Sequence, residues 1–171
     1  MNMIRNMVWN SLTDYYFKAS VMGYAIQRFQ KIDRCINIIL ALASSGSIAA
    51  WAIWKEIPYV WGAIIALSQV IQTVKPYFPY SRYIRELNEK SKKLQAVNLR
   101  FEMLFYEIDY GAAQEEELST KYFALRKEAE EICFFNADSS FSFTDGDEQK
   151  ANQDTAHYLK QNYNVESLLS R

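Results

Sequence analysis

One histidine, two cysteines, three prolines and five glycines are all that the 171 residues hold of those types, and each scarcity removes a chemistry. His157 alone supplies no histidine-based metal site. Cys35 and Cys133 fit no zinc-ligand spacing and read as two reduced thiols in a reducing compartment. The glycines form neither a P-loop nor a dinucleotide-binding turn, and neither a histidine pair for zinc nor a nucleophile elbow is present. No cofactor is therefore expected. The net charge of −1 gives no global attraction to nucleic acid. Internal repeats and low-complexity runs are missing as well. The opening Met1-Asn2-Met3-Ile4-Arg5 is not followed by the apolar core and small-residue cleavage site of a signal peptide, so any apolar segment further on is expected to stay uncleaved.

What the chain does have is apolar bulk. Half its residues are hydrophobic and 15% are aromatic, too many for a disordered chain. The length fits one domain, or one domain with a small membrane element. The apolar residues concentrate between Ile36 and Val74, in two uncharged segments separated by Lys55-Glu56. Each is about as long as the roughly 17–25 residues a bilayer core requires. They are expected to form a two-span transmembrane helical hairpin. Arg28, Lys31 and Arg34 precede the first segment, and Lys75, Arg82 and Arg85 follow the second, which predicts both termini on the cytoplasmic side. Trp51, Trp54, Tyr59 and Trp61 near the tip, and Tyr77, Phe78 and Tyr80 beyond the second segment, resemble interfacial aromatic belts. Pro76 and Pro79 predict a bend.

Polar side chains interrupt both segments. Asn37, Ser44 and Ser47 fall on one face of the first, and Gly62, Ala66, Gln69 and Thr73 form a row in the second, beside Gln72. In hydrocarbon such groups must meet one another or a water-filled path, so interhelical packing and pore lining both stay open for Asn37, Ser44, Ser47, Gln69, Gln72 and Thr73. Each Ile, Leu or Val contributes roughly 0.3–0.6 kcal/mol to insertion, and about seven per segment make the spans marginal on their own. Assembly with further copies is the expected remedy.

The flanks are amphipathic. Ile4, Val8, Leu12, Tyr15, Ala19, Met22, Ile26 and Phe29 recur at steps of three and four, which predicts a helix over 2–30. Its polar face is not strongly basic, which favours packing on other helices over lying on a membrane surface. Ser81 to Tyr110 is predicted as a long helix with the seam Ile84, Leu87, Ser91, Leu94, Asn98, Phe101, Phe105 and Ile108, in which Ser91 and Asn98 are polar. Gly111 is its expected stop. A second helix over about 114–135 opens on Glu115-Glu116-Glu117, which suits a helix N-terminus. Its seam is Leu118, Tyr122, Leu125, Ala129 and Ile132. Turn formers fill 136–147, where Phe141 and Phe143 are placed to pin the loop, and a last helix is expected over about 148–162. The resulting plan is all-α in three parts: an amphipathic helix over 1–35, the hairpin over 36–75 and a cytosolic helical domain over 76–171.

This layout resembles the small membrane accessory proteins encoded beside the RNA-guided RNase of type VI-B CRISPR systems. Those carry a divergent HEPN ribonuclease signature, Arg-x(4–6)-His, in a C-terminal helix. The matching residues here are Asn152-Gln153-Asp154-Thr155-Ala156-His157, with Asn152 where the ribonuclease has Arg, so the cation beside the scissile phosphate is missing. The resemblance implies a HEPN-like helical domain and an oligomeric pore in the bacterial inner membrane. The pore would depolarise that membrane and strengthen anti-phage defence, with Asn152 and His157 as the remnant of a catalytic pair. Its implied partners are membrane lipid, further copies of the chain and an RNA-guided RNase. The alternative is a membrane-anchored ribonuclease using His157, and direct RNA binding stays open between the two.

Overall fold

The computed structural model describes residues 2–53, 58–74, 77, 80–111, 114–135 and 142–163. The described residues form five helices: α1 (Asn2–Ile53), α2 (Pro58–Val74), α3 (Tyr80–Tyr110), α4 (Glu115–Cys133) and α5 (Asp145–Asn162). The chain divides into two compact units, Met1–Ile26 with Arg85–Arg171, and Gln27–Ile84.

The all-α class is as expected, but the two-span transmembrane hairpin is not. Among the described residues no helix is long and apolar enough to cross a membrane. The first apolar segment is not a separate helix. It continues the amphipathic N-terminal helix without a break, so α1 is 52 residues long. The second segment stops at 17 residues and includes Ser68, Gln69, Gln72 and Thr73. That is the short limit of the roughly 17–25 residues a span needs, with four polar positions inside it. The multi-pass inner-membrane location with both termini cytoplasmic is corrected on the same finding, since it rested on those spans. The tip at Lys55-Glu56, the bend at Pro76 and Pro79, and Phe141 lie outside the described residues.

The larger unit is a four-helix arrangement built on α1 and α3. Arg5 pairs with Asp109 at 2.6 Å, while Ser91 Oγ donates to the Ala19 carbonyl at 3.3 Å, so the two helices run antiparallel. The predicted seams are what they bury. Val8, Leu12, Tyr15, Ala19 and Met22 of α1 lie in the core with Leu87, Leu94, Phe101, Phe105 and Ile108 of α3. Burying each large side chain fully contributes about 1.5–3 kcal/mol. Ser11 meets Tyr122 at 3.2 Å and Tyr15 donates to Glu130 at 2.9 Å, which sets α4 parallel to α1. On the opposite side, Tyr16 stacks on Tyr158 with centroids 3.9 Å apart and Trp9 meets Tyr163 at 5.1 Å, so α5 runs antiparallel to α1.

Local chemistry fixes the helix ends. α3 stops at Gly111, whose N–H donates to Glu107 O at 2.7 Å. The glycine is needed here for space: an added Cβ would lie 2.3 Å from that same carbonyl oxygen. In α4, Glu115, Glu116 and Glu117 fill the first turn, where the helix dipole favours carboxylates. α5 opens three residues earlier than the periodicity predicts, because Thr144 and Asp147 form a reciprocal capping box. Asp147, Ala151 and Thr155, each one turn apart, form its buried stripe, and the Thr155 hydroxyl donates to the Ala151 carbonyl at 2.7 Å. Phe143 meets Phe135 at 6.2 Å and ties the segment before α5 to the end of α4.

In the smaller unit Phe29 is buried, with its ring 5.9 Å from Tyr80 and 6.1 Å from Tyr83. Ser68 of α2 is also buried.

Candidate functional site

Two of the residues singled out in the sequence bond within their own helices. Asn37 donates to Asp33 at 3.0 Å, one turn back on its own helix. Thr73 donates to the Gln69 carbonyl at 2.8 Å, also one turn back, and Gln69 and Gln72 are exposed. Ser44 and Ser47 lie on α1, but their side chains fall outside the description.

Asn152 and His157 are both exposed on α5. Five residues at 3.6 per turn set them about 140° apart around the helix. The residues between them do other work. Asp154 accepts from the Tyr24 hydroxyl, and Thr155 is in the core. Among the described residues no group of three or more His, Cys, Asp or Glu side chains is placed to hold a metal.

Two other features stand out on the larger unit. The first is a second seam on α3, on the side opposite its core. Lys92, Ala96, Leu99, Met103, Tyr106 and Tyr110 follow one another at steps of four, three, four, three and four, and every one is exposed. Leu99 is 57%, Met103 64%, Tyr106 66% and Tyr110 77% exposed. A strict 4-3 repeat of this kind is the pattern of a helix that packs along its length against another helix. Charge is graded along the same helix. From Arg85 to Arg100 there are five basic and two acidic residues; from Phe101 to Tyr110 there are three acidic and no basic ones. Glu115, Glu116 and Glu117 extend the acidic end, where Lys121 bridges Glu107 at 2.7 Å and Glu117 at 2.9 Å.

The second feature is a cleft of about 350 Å³ between α1 and α3, lined by Tyr16, Ser20, Gln95, Asn98, Leu99 and Glu102 among others. Asn98 is 4% exposed, and among the described residues its Oδ1 has no hydrogen-bond partner. Ser91, the other polar position of the predicted seam, is satisfied by the Ala19 carbonyl, so the two polar positions have opposite fates. Glu102 accepts a hydrogen bond from the Tyr158 hydroxyl. Burial and then this bond push the Tyr158 phenol far above the usual range, and burial with the nearby Asp154 and Glu102 carboxylates raises Tyr16 too. Both phenols therefore stay neutral donors at ordinary pH.

A larger cleft of about 620 Å³ between α3 and α4 is lined by charges of both signs, among them Glu86, Glu89, Lys93 and Glu131. Two of its cations are engaged: Arg100 pairs with Glu128, and Lys90 donates to the carbonyls of Ile132 and Phe134 while sitting 4.4 Å over the Phe135 ring.

No protein-family model, curated protein or solved structure matches the chain, and the two-span layout behind the likeness to CRISPR accessory proteins is itself corrected above.

The outward seam is visible in the sequence as a period but not as a surface. Its period is the same as that of the core seam it shares a helix with, and periodicity alone does not say which of two stripes faces solvent.

Proposed function

We propose that the chain works as a homo-oligomeric helical assembly module, two copies pairing through the outward face of α3. The observation that carries this reading is the unbroken repeat Lys92, Ala96, Leu99, Met103, Tyr106 and Tyr110, exposed throughout. A row of large apolar side chains on a charged helix marks an interaction surface. The charge gradient selects the partner. A helix basic at one end and acidic at the other is self-complementary when two copies lie antiparallel, and a closed two-fold interface uses one patch twice. The antiparallel register that places Leu99 opposite Met103 also places Ala96 opposite Tyr106 and Lys92 opposite Tyr110. Small thus meets large, and a cation meets an aromatic ring.

Cysteine cross-linking tests the register. On a Cys35→Ser background, a mixture of Leu99→Cys and Met103→Cys chains is oxidised. With the two chains equimolar, a mixed disulfide formed well beyond the twofold statistical excess over either self-disulfide is the expected result. A purely statistical distribution of the three disulfides, or no cross-linked dimer, would refute the pairing.

A further inference from the structure

We infer that Tyr16 and Tyr158 form an oxidation site, at which a one-electron oxidant joins the two rings by a carbon–carbon bond and locks α5 to α1. This inference concerns a single copy of the chain and does not rest on the self-association proposed above. The two rings stack with centroids 3.9 Å apart and planes 10° apart. Most aromatic pairs sit farther apart, at roughly 4.5–7 Å. Carbons of one ring therefore face carbons of the other at contact distance, on two different helices. Two other tyrosine pairs are placed differently. Tyr106 and Tyr110 are 4.6 Å apart and tilted by 35°, one turn apart on α3, so a bond there would tie no two helices together. Tyr158 and Tyr163 meet edge to face at 6.1 Å.

The surroundings suit the chemistry. A phenol that loses an electron becomes a strong acid and must release its proton. The Tyr158 hydroxyl already donates to Glu102, which is placed to take that proton, and the Glu102 and Asp154 carboxylates both act on Tyr16. Their negative field favours removal of an electron from either ring. Both rings are half-buried, and Tyr16 with Glu102 lines the cleft between α1 and α3, which gives a small oxidant access. In the step itself each phenol gives one electron to the oxidant and releases one proton, Tyr158 to Glu102 and Tyr16 to water. The two phenoxyl radicals couple at the ring carbons beside the C–O carbon. The hydrogens on those two carbons then move to the oxygens as the rings regain aromaticity. The pair loses two hydrogen atoms in all, and the oxidant takes up two electrons, one from each ring. The lock matters because α5 is lightly held: its buried residues are Asp147, Ala151 and Thr155. An element with so little buried apolar side chain opens at a lower free energy than the rest of a fold. A covalent tie between distant chain positions restricts that opening, as a disulfide would.

Photo-oxidised tris(bipyridine)ruthenium, a one-electron oxidant, is the probe, generated by brief light pulses on the dilute full chain with persulfate as electron acceptor. Product that keeps the mass of one chain on a denaturing gel is digested with trypsin. The expected result is a joined pair of the peptides spanning 6–18 and 151–160, two hydrogens lighter than their sum, with fragmentation placing the bond at Tyr16 and Tyr158. Tyr16→Phe and Tyr158→Phe keep the stacked rings, and each is expected to abolish that pair with circular dichroism unchanged. Glu102→Gln still accepts the Tyr158 hydrogen bond but is a far poorer acceptor of its proton, and is expected to slow formation of the pair several-fold. Amide hydrogen exchange in α5 is expected to slow once the bond has formed. The inference is overturned if the joined pair is absent, if it forms no faster than coupling of Tyr106 to Tyr110, or if it persists in either phenylalanine variant. It is equally overturned if Glu102→Gln leaves the rate unchanged, or if α5 exchanges as fast in the coupled chain as in the uncoupled one.

Discussion

Replacing Met103 by Glu is the sharpest perturbation of the outward α3 seam. Met103 is 64% exposed and Leu99 57%, so the substitution touches no core contact and the fold should survive it. Full burial of a side chain of this size contributes about 1.5–3 kcal/mol, so covering the exposed six-tenths contributes about 1–2 kcal/mol. A two-fold interface uses each position twice, which makes the Met103 share of association about 2–4 kcal/mol. Glutamate forfeits that share and also brings two carboxylates to a surface they must desolvate. At 1.4 kcal/mol per decade, the dissociation constant should rise by two orders of magnitude or more. Sedimentation equilibrium over a wide concentration range reads this directly, with far-UV circular dichroism to confirm unchanged helix content. Phe123→Glu is the control, because Phe123 is 54% exposed on α4 and is not part of the seam. The reasoning fails if the unmodified chain is monomeric at every concentration, or if Met103→Glu and Phe123→Glu associate equally well.

Other outcomes follow from the same geometry. Thr144→Ala removes the side-chain acceptor of the α5 capping box and should cost about 1 kcal/mol in denaturant or thermal unfolding. Phe101→Ala empties a fully buried position against Tyr15 and Tyr122 and should cost about 3–5 kcal/mol by the same measurement. Burial and then the bond to Glu102 raise Tyr158, as burial and then the bond to Glu130 raise Tyr15. A raised phenol binds its proton more tightly in the folded state. Its stabilisation is therefore complete below the ordinary tyrosine value near 10 and is lost as pH climbs above it. Unfolding measured between neutral and strongly alkaline pH should show this decline, and Tyr158→Phe should flatten it; an unaltered slope would count against the assignment. Cys35 is exposed, whereas Cys133 is half-buried with its thiol pushed up by burial, so an alkylating reagent should modify Cys35 first, as peptide mapping would reveal.

The helical pattern was legible because it is a local property. In α3 the step of three and four runs unbroken from Ile84 to Ile108; from Leu87 onward those positions are buried, with Val97 and Leu104 buried beside them, while Ile84 is half-buried. Gly111 marked the end of α3 although it has no left-handed backbone; the reason is a close approach to Glu107. The start of α5 was read three residues late, because the cap is made by Thr144 and Asp147 and carries no apolar period. The membrane hairpin was misread for a related reason. A window of apolar residues reports composition, not where a helix begins, and nothing between Phe29 and Ile36 interrupts α1. Of the candidate residues, Asn152 and His157 shared a helix but not a face, while Asn98 was noticed only as a polar seam position.

The sequence by itself determined that the chain is helical, which stripe of each long helix is apolar, and where charge changes sign along α3. Each of these follows from the order of residues within one helix. Only the tertiary structure decided which of the two stripes on α3 is the core, because that depends on where α1, α4 and α5 settle around it. It also decided that Ser91 meets a carbonyl while Asn98 does not, since a hydrogen bond between helices depends on their offset along one another, and no spacing within α3 encodes that offset.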